Sequence, residues 1–61
     1  MKVYKFKDVV DGGFAFIIAK NQGDATKMLQ NLTSIPFEFI ESKTPEEINR
    51  PIVLMNTILP F

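Results

Sequence analysis

Few side chains in this sequence of 61 residues are suited to enzymatic chemistry. The chain contains no histidine and no cysteine, so it lacks the commonest general base, the thiol nucleophile and the thiolate and imidazole ligands of metal ions. Ser34 and Ser42 have no histidine to activate them as nucleophiles, and Tyr4 has no base near it in the sequence. We therefore expect no catalytic residue, no metal site and no cofactor, and we predict that the chain is not an enzyme.

The acidic residues do not form an acid–base pair. Glu46 and Glu47 are neighbours on a predicted helical turn, so their side chains face different directions, and stabilisation of the helix start explains both. Glu38 and Glu41 are out of phase with each other on a predicted strand, which places them on opposite faces of a sheet. A metal site made only of carboxylates needs several converging acids, and here the acids are dispersed.

Two glycine-containing segments could bind an anion. Asp11-Gly12-Gly13 has the composition of a tight turn, which is the simpler explanation for its glycines. A second segment precedes a predicted helix, whose N-terminal N–H groups attract anions, although helix capping also explains its residues. Neither segment matches a P-loop or a dinucleotide fingerprint. The second segment is a candidate anion site, which would serve a nucleotide-like ligand at a subunit interface: Lys20, Asn21 and Gly23.

Four aromatic residues lie on two strands that are predicted to be neighbours: Tyr4, Phe6, Phe14 and Phe16. On adjacent antiparallel strands they would form one continuous face, of the kind that stacks on single-stranded nucleic acid. The formal net charge of the chain is zero, however, and nucleic-acid binders rely on a basic excess. We therefore expect these rings in a core or a dimer interface, and we expect no nucleic-acid partner.

The C-terminal stretch from Ile52 to Phe61 has no charged residue. Chain ends are usually polar, so this stretch needs a cover. It could fold back on a free sheet face, pack against a second copy, or dock into another protein, in which case large apolar side chains would be its anchors. The candidate interface residues are apolar side chains of this stretch and of the second predicted strand: Ile52, Leu54, Ile58, Leu59, Phe61, Phe14 and Phe16.

Five or six short elements position these residues. Apolar alternation or short apolar runs predict strands over the ranges 2–9, 14–19, 35–41 and 52–55. The second strand is apolar on both faces, so we expect it to be central, with its alanines facing a helix. A 3.6-residue period predicts a helix over 22–32, capped by Asn21, with one apolar stripe: Ala25, Met28, Leu29 and Leu32. A capping box predicts a short helical turn at 45–49.

The chain length bounds the architecture to one domain, residues 1–61. The order β-β-α-β-short α-β predicts an α+β fold, with a small antiparallel or mixed sheet of about three to four strands and one long helix on one face. A domain of this size buries only about 60% of its unfolded surface. Since disulfides and metals are excluded, oligomerisation is the remaining route to extra stability, and a homodimer is the expected form.

These observations favour binding over catalysis. We predict a non-enzymatic small protein-binding module of the inhibitor or adaptor type, which self-associates through apolar surface. The alternatives are a protein that sequesters a small ligand and a structural subunit of a larger assembly. No secretory signal and no apolar run of about 18 residues is visible, so we expect a cytoplasmic protein of bacterial or phage origin with no membrane partner.

Overall fold

The computed structural model describes residues 1–44 and 51–55. These residues form four strands and one helix, in the order β1 Lys2–Asp8, β2 Phe14–Ala19, α1 Gln22–Leu32, β3 Phe37–Lys43 and β4 Ile52–Met55. All strand pairs are antiparallel, the strand order is β3-β1-β2-β4, and α1 packs on one face of the sheet. The α+β prediction is confirmed. The predicted helix bounds, 22–32, are also confirmed, but with 11 residues, or about three turns, α1 is a short helix and not the long one expected.

The central position of β2 is confirmed by its neighbours, β1 on one side and β4 on the other. β4 pairs with β2 within the same chain, from Ile18 opposite Ile52 to Ala15 opposite Met55. The predicted helical turn at 45–49 lies outside the described residues. Within the described part of the chain, α1 falls short of the length and apolar character that a membrane-crossing helix would need.

The pairing of β1 with β2 divides the aromatic residues between the two faces of the sheet. Tyr4 lies opposite Ile17, and Lys5 lies opposite Phe16, and directly opposed residues share a face. Tyr4 and Phe6 therefore face α1, in one buried cluster with the alanines of β2. Phe14 and Phe16 belong to the cluster on the other face. The prediction of one continuous aromatic face was wrong, because this register aligns even-numbered residues of β1 with odd-numbered residues of β2.

The helix-facing side of the sheet is built around small side chains. Ala15, Ala19 and Ala25 are almost completely buried, which lets α1 lie close to β2, as the sequence predicted. Leu29 is also buried in this cluster, whereas Leu32 is exposed. The predicted apolar stripe is therefore correct for its first three members and ends one turn before the helix does.

A β-bulge changes the phase of β3. Phe39 lies opposite Phe6 and Glu41 lies opposite Lys5, so Ile40 is an extra residue between the two pairs. Because of this extra residue, Glu38 and Glu41 project from the same face of the sheet, the one that faces away from α1. The prediction that they lie on opposite faces was wrong, because strand alternation alone does not reveal a bulge.

Candidate protein-binding surface

Four residues of the predicted interface lie together on the sheet face away from α1: Phe14, Phe16, Ile52 and Leu54. We call this surface the phenylalanine face; Val3, Ile18 and Met1 complete its cluster. Phe16 is 1% exposed in the single chain, so its ring has almost no surface left to offer a partner. The other three are half-buried. Ile58, Leu59 and Phe61 lie outside the described residues.

A lysine side chain lies at one edge of the phenylalanine face. The Nζ atom of Lys5 lies 4.6 Å from the centroid of the Phe14 ring, which is within the range of a cation–π contact. Phe14 and Phe16 are also in contact, with 6.5 Å between their ring centroids. The face is thus apolar on β2 and β4, and it becomes charged towards β1 and β3.

At the candidate anion site the chain makes its own helix-capping contact. The Oδ1 atom of Asn21 accepts a hydrogen bond of 2.8 Å from the Asp24 N–H, which is the expected N-cap contact. Asp24 also adds a negative charge to the first turn of α1. Lys20 and Gly23 are exposed. The structure therefore brings the three predicted residues together at the helix start, where capping accounts for the role of Asn21.

The most unusual local structure is the β1–β2 loop, residues 9–13. Asp8 precedes it and is only 7% exposed although it carries a carboxylate. Its Oδ1 atom accepts hydrogen bonds from the N–H groups of Val10 (2.8 Å) and Asp11 (3.1 Å). The Asp8 backbone also bonds to the far side of the loop, donating to the Gly13 carbonyl at 2.7 Å and accepting from the Gly12 N–H at 2.9 Å. These four contacts tie both sides of the loop to Asp8.

Gly12 is the residue that lets the loop close. Its φ angle is +80°, a conformation that side chains with a Cβ atom rarely adopt. A Cβ atom built at Gly12 would meet no other atom within 4 Å. The requirement for glycine at this position is therefore conformational and not steric.

The hydrogen-bonded loop presents two neighbouring valines to solvent. Val9 is 55% exposed and Val10 is 69% exposed. The Val9 N–H donates to the Pro36 carbonyl at 3.3 Å, which ties the loop to the α1–β3 connection. Pro36 is exposed and Ile35 is 41% exposed. Val9, Val10, Ile35 and Pro36 therefore lie at the same end of the sheet, and we call this surface the apolar end.

A groove of about 420 Å³ adjoins the apolar end, between α1 and the start of β3. Phe6 and Phe37 contribute from the sheet, and Leu29 and Gln30 contribute from α1. Thr26, Thr33, Ser34, Ile35 and Pro36 complete the lining. None of these residues is charged, so the groove suits an uncharged side chain of a partner.

Sequence reasoning missed the apolar end. Val9 and Ile35 were assigned to strands, but β1 ends at Asp8 and β3 begins at Phe37. One signal was present: an aspartate at the end of a strand commonly accepts hydrogen bonds from the N–H groups two and three residues later. Applied at Asp8, that rule ends the strand there and leaves Val9 and Val10 in the loop.

Comparison of the chain with known proteins does not identify a family or a function. No protein-family model, no curated protein and no solved structure matches the chain. Across residues 1–44 and 51–55, no group of three or more acidic side chains is arranged to hold a metal ion. The arrangement described above is a hydrogen-bonded loop with exposed apolar side chains beside a groove lined by uncharged residues.

Proposed function

We propose that this chain is a non-enzymatic protein-binding module of the inhibitor or adaptor type, which contacts its partner through the apolar end. The observation that carries the proposal is the contrast between Asp8 and the valines that follow it. A carboxylate is buried and hydrogen-bonded to backbone N–H groups, and the effect of this arrangement is to hold two apolar side chains in water. Such an arrangement contributes nothing to a core.

The energetics of association suit this surface. Transfer of a valine or isoleucine side chain from water to an apolar environment is worth about 1.5–3 kcal/mol when burial is complete. Binding also costs conformational entropy for every loop that must become ordered. The loop after Asp8 is already held by hydrogen bonds, so less of that cost remains when a partner covers Val9 and Val10.

The residues of the apolar end indicate what kind of contact surface the partner has. The four residues of the apolar end and the groove beside them carry no charge. Lys7, Asp11 and Glu38 border the loop on its other side. We therefore expect a protein partner whose contact surface has an apolar, uncharged centre, with an anchor side chain that enters the groove and a polar rim around it.

A substitution at the tip of the loop tests the proposal. Val10→Asp puts a charge at the centre of the contact, and we expect it to abolish partner binding without unfolding the chain. The matched control is Gln22→Asp, which adds the same charge at an exposed position at the opposite end of the sheet, where an acid is compatible with the start of a helix. Partners retained by the immobilised wild-type chain and by each variant would be quantified by mass spectrometry.

The informative result is the pattern across the three proteins. A partner that is retained by the wild type and by Gln22→Asp, and lost with Val10→Asp, supports the proposal. If no retained protein depends on Val10, while circular dichroism shows that all three proteins are folded, then the apolar end is not the binding surface.

A second candidate function is sequestration of a small ligand, which a separate cleft favours. This cleft has a volume of about 360 Å³ and lies along α1 from Asp24 to Asn31, and Lys20 and Lys27 both contribute to it. Asp24 lines the same cleft and opposes the binding of an anion. Nucleoside phosphates that raise the melting temperature of the wild type, but not of Lys27→Gln, would support this function, and an unchanged melting temperature would exclude it.

A further inference from the structure

The outer edge of β3 is a second surface that could pair with another chain, and it is separate from the apolar end. Among the described residues, β3 is an edge strand that pairs only with β1. It has seven residues, all of them exposed or half-buried. An edge strand presents unpaired N–H and C=O groups that can accept another strand.

The hydrogen bonds of β1 show which backbone groups of β3 point outwards. The Asp8 N–H donates to Gly13, on the β2 side of β1, so alternate residues of β1 point to β3 instead. Those residues lie opposite Glu38, Glu41 and Lys43, whose backbone groups therefore point back at β1. The hydrogen bond from the Val9 N–H to the Pro36 carbonyl fits the same alternation. The residues of β3 whose backbone groups point outwards are the remaining paired ones: Phe37, Phe39 and Ser42.

The bulge makes this edge unusual. Phe39 and Ser42 are three residues apart because Ile40 is inserted between them, whereas a regular strand presents outward groups at every second residue. A regular strand therefore cannot match both positions. A second copy of β3 can, since it has the same three-residue gap. When the second copy runs antiparallel, Phe39 of each chain lies opposite Ser42 of the other.

The side chains agree with that register. Glu38 and Lys43 both project from the sheet face away from α1, because their partners on β1 are Lys7 and Val3, which share that face. The register places Glu38 of each chain opposite Lys43 of the other, which gives two pairs of opposite charge. A slide of two residues, which would place Phe37 opposite Ser42, brings Glu38 opposite Glu41 and is disfavoured by like charges.

We propose that β3 pairs antiparallel with β3 of a second copy of this chain, in the register that joins Phe39 to Ser42 and Glu38 to Lys43. The two-fold axis is perpendicular to the sheet, so the dimer has one continuous eight-stranded sheet with both helices on the same face. This dimer does not depend on the proposed protein-binding function, since the apolar end belongs to other residues.

Charge reversal tests the register. Glu38→Lys and Lys43→Glu each place like charges in both related pairs, and we expect each to weaken the dimer roughly tenfold or more. The double variant Glu38→Lys/Lys43→Glu restores opposite charges, and its dissociation constant should return to within about threefold of the wild type. Lys27→Glu, which makes the same charge change as Lys43→Glu at an exposed position of α1, is the matched control for that variant and should leave the constant unchanged. The dissociation constants would be measured by light scattering across a dilution series.

A backbone substitution tests the strand pairing itself. The Ser42 N–H points away from β1, so Ser42→Pro removes a donor that pairs with no strand among residues 1–44 and 51–55 of the same chain, and proline is tolerated on such an edge. We expect a folded monomer, with circular dichroism like that of the wild type.

The proposal is overturned if the wild type is monomeric at about 1 mM, if the single reversals leave the dimer intact, if the double variant fails to restore it, or if Ser42→Pro dimerises as the wild type does. Val10→Asp should bind no partner and still dimerise, which separates the two proposals.

Discussion

The same kind of contact, a side-chain oxygen that accepts backbone N–H groups, lies before β2 and after it. The two contacts support different surfaces. Before β2, the Oδ1 atom of Asp8 accepts backbone N–H groups of the β1–β2 loop. After β2, the Oδ1 atom of Asn21 accepts the N–H of Asp24 at the start of α1. Asp8 is buried and the apolar residues that follow it are exposed, whereas Asn21 is exposed and Ala25 and Leu29, which follow it, are buried.

This difference shows how local structure and burial can be uncoupled. The cap at Asn21 starts a helix whose apolar side chains close the core, so the local contact and the hydrophobic effect act together. The contact at Asp8 fixes a loop that leaves two valines in water, so here the local contact acts alone. The contact at Asp8 therefore stabilises the β1–β2 connection and at the same time holds apolar side chains at the surface, where the proposed partner would cover them.

Replacement of Asp8 should have the largest effect. Asp8→Ala leaves two N–H groups of the loop without their acceptor, and we expect it to lower the free energy of unfolding by about 1–3 kcal/mol. A domain of this size has only about 3–5 kcal/mol from its core, so the variant should be close to unfolding. Asp8→Asn keeps an oxygen acceptor and should retain most of the stability. The measurement is urea unfolding followed by circular dichroism, and equal losses for the two variants would show that the carboxylate charge, and not the acceptor, stabilises the loop.

Replacement of Asn21 should have a smaller effect. Asn21→Ala removes the N-cap acceptor of α1, and we expect it to lower the free energy of unfolding by about 1 kcal/mol. Asn21→Ser keeps a capping oxygen and should lose little of this. The same urea titration checks both variants. A loss with Asn21→Ala as large as that with Asp8→Ala would mean that burial of the accepting oxygen does not distinguish the two ends of β2.

Most of the fold follows from the sequence because its patterns are local. The alternation in β2 predicted both a helix-facing alanine side and a phenylalanine side, and the period of α1 predicted its bounds. β4 also lies where the apolar run predicted it, at Ile52–Met55. In β2, α1 and β4, the pattern of apolar residues in the sequence and the packing in the structure assign the same bounds to the element.

The errors arose where a single residue changes the phase of a strand. Ile40 shifts β3 by one position, and the side of the sheet on which Glu41 lies depends on that shift. Asp8 ends β1 one residue earlier than alternation predicts, which places Val9 in the loop. Both features depend on how a strand meets its neighbour, and that information is not contained in the alternation of the strand itself. The apolar end and the β3 edge were missed for this reason.

The smallest effect on stability is expected at Val10, although the largest effect on binding is expected there. Val10→Ser replaces a 69% exposed side chain, and we expect the free energy of unfolding to change by less than about 0.5 kcal/mol. Val3→Ser is the matched comparison, because the same substitution at a buried valine loses apolar burial and adds a hydroxyl to the phenylalanine face, at a cost of about 2 kcal/mol or more. If Val10→Ser destabilises the chain as much as Val3→Ser does, then Val10 supports the fold. The reason to assign the apolar end to a partner would then disappear.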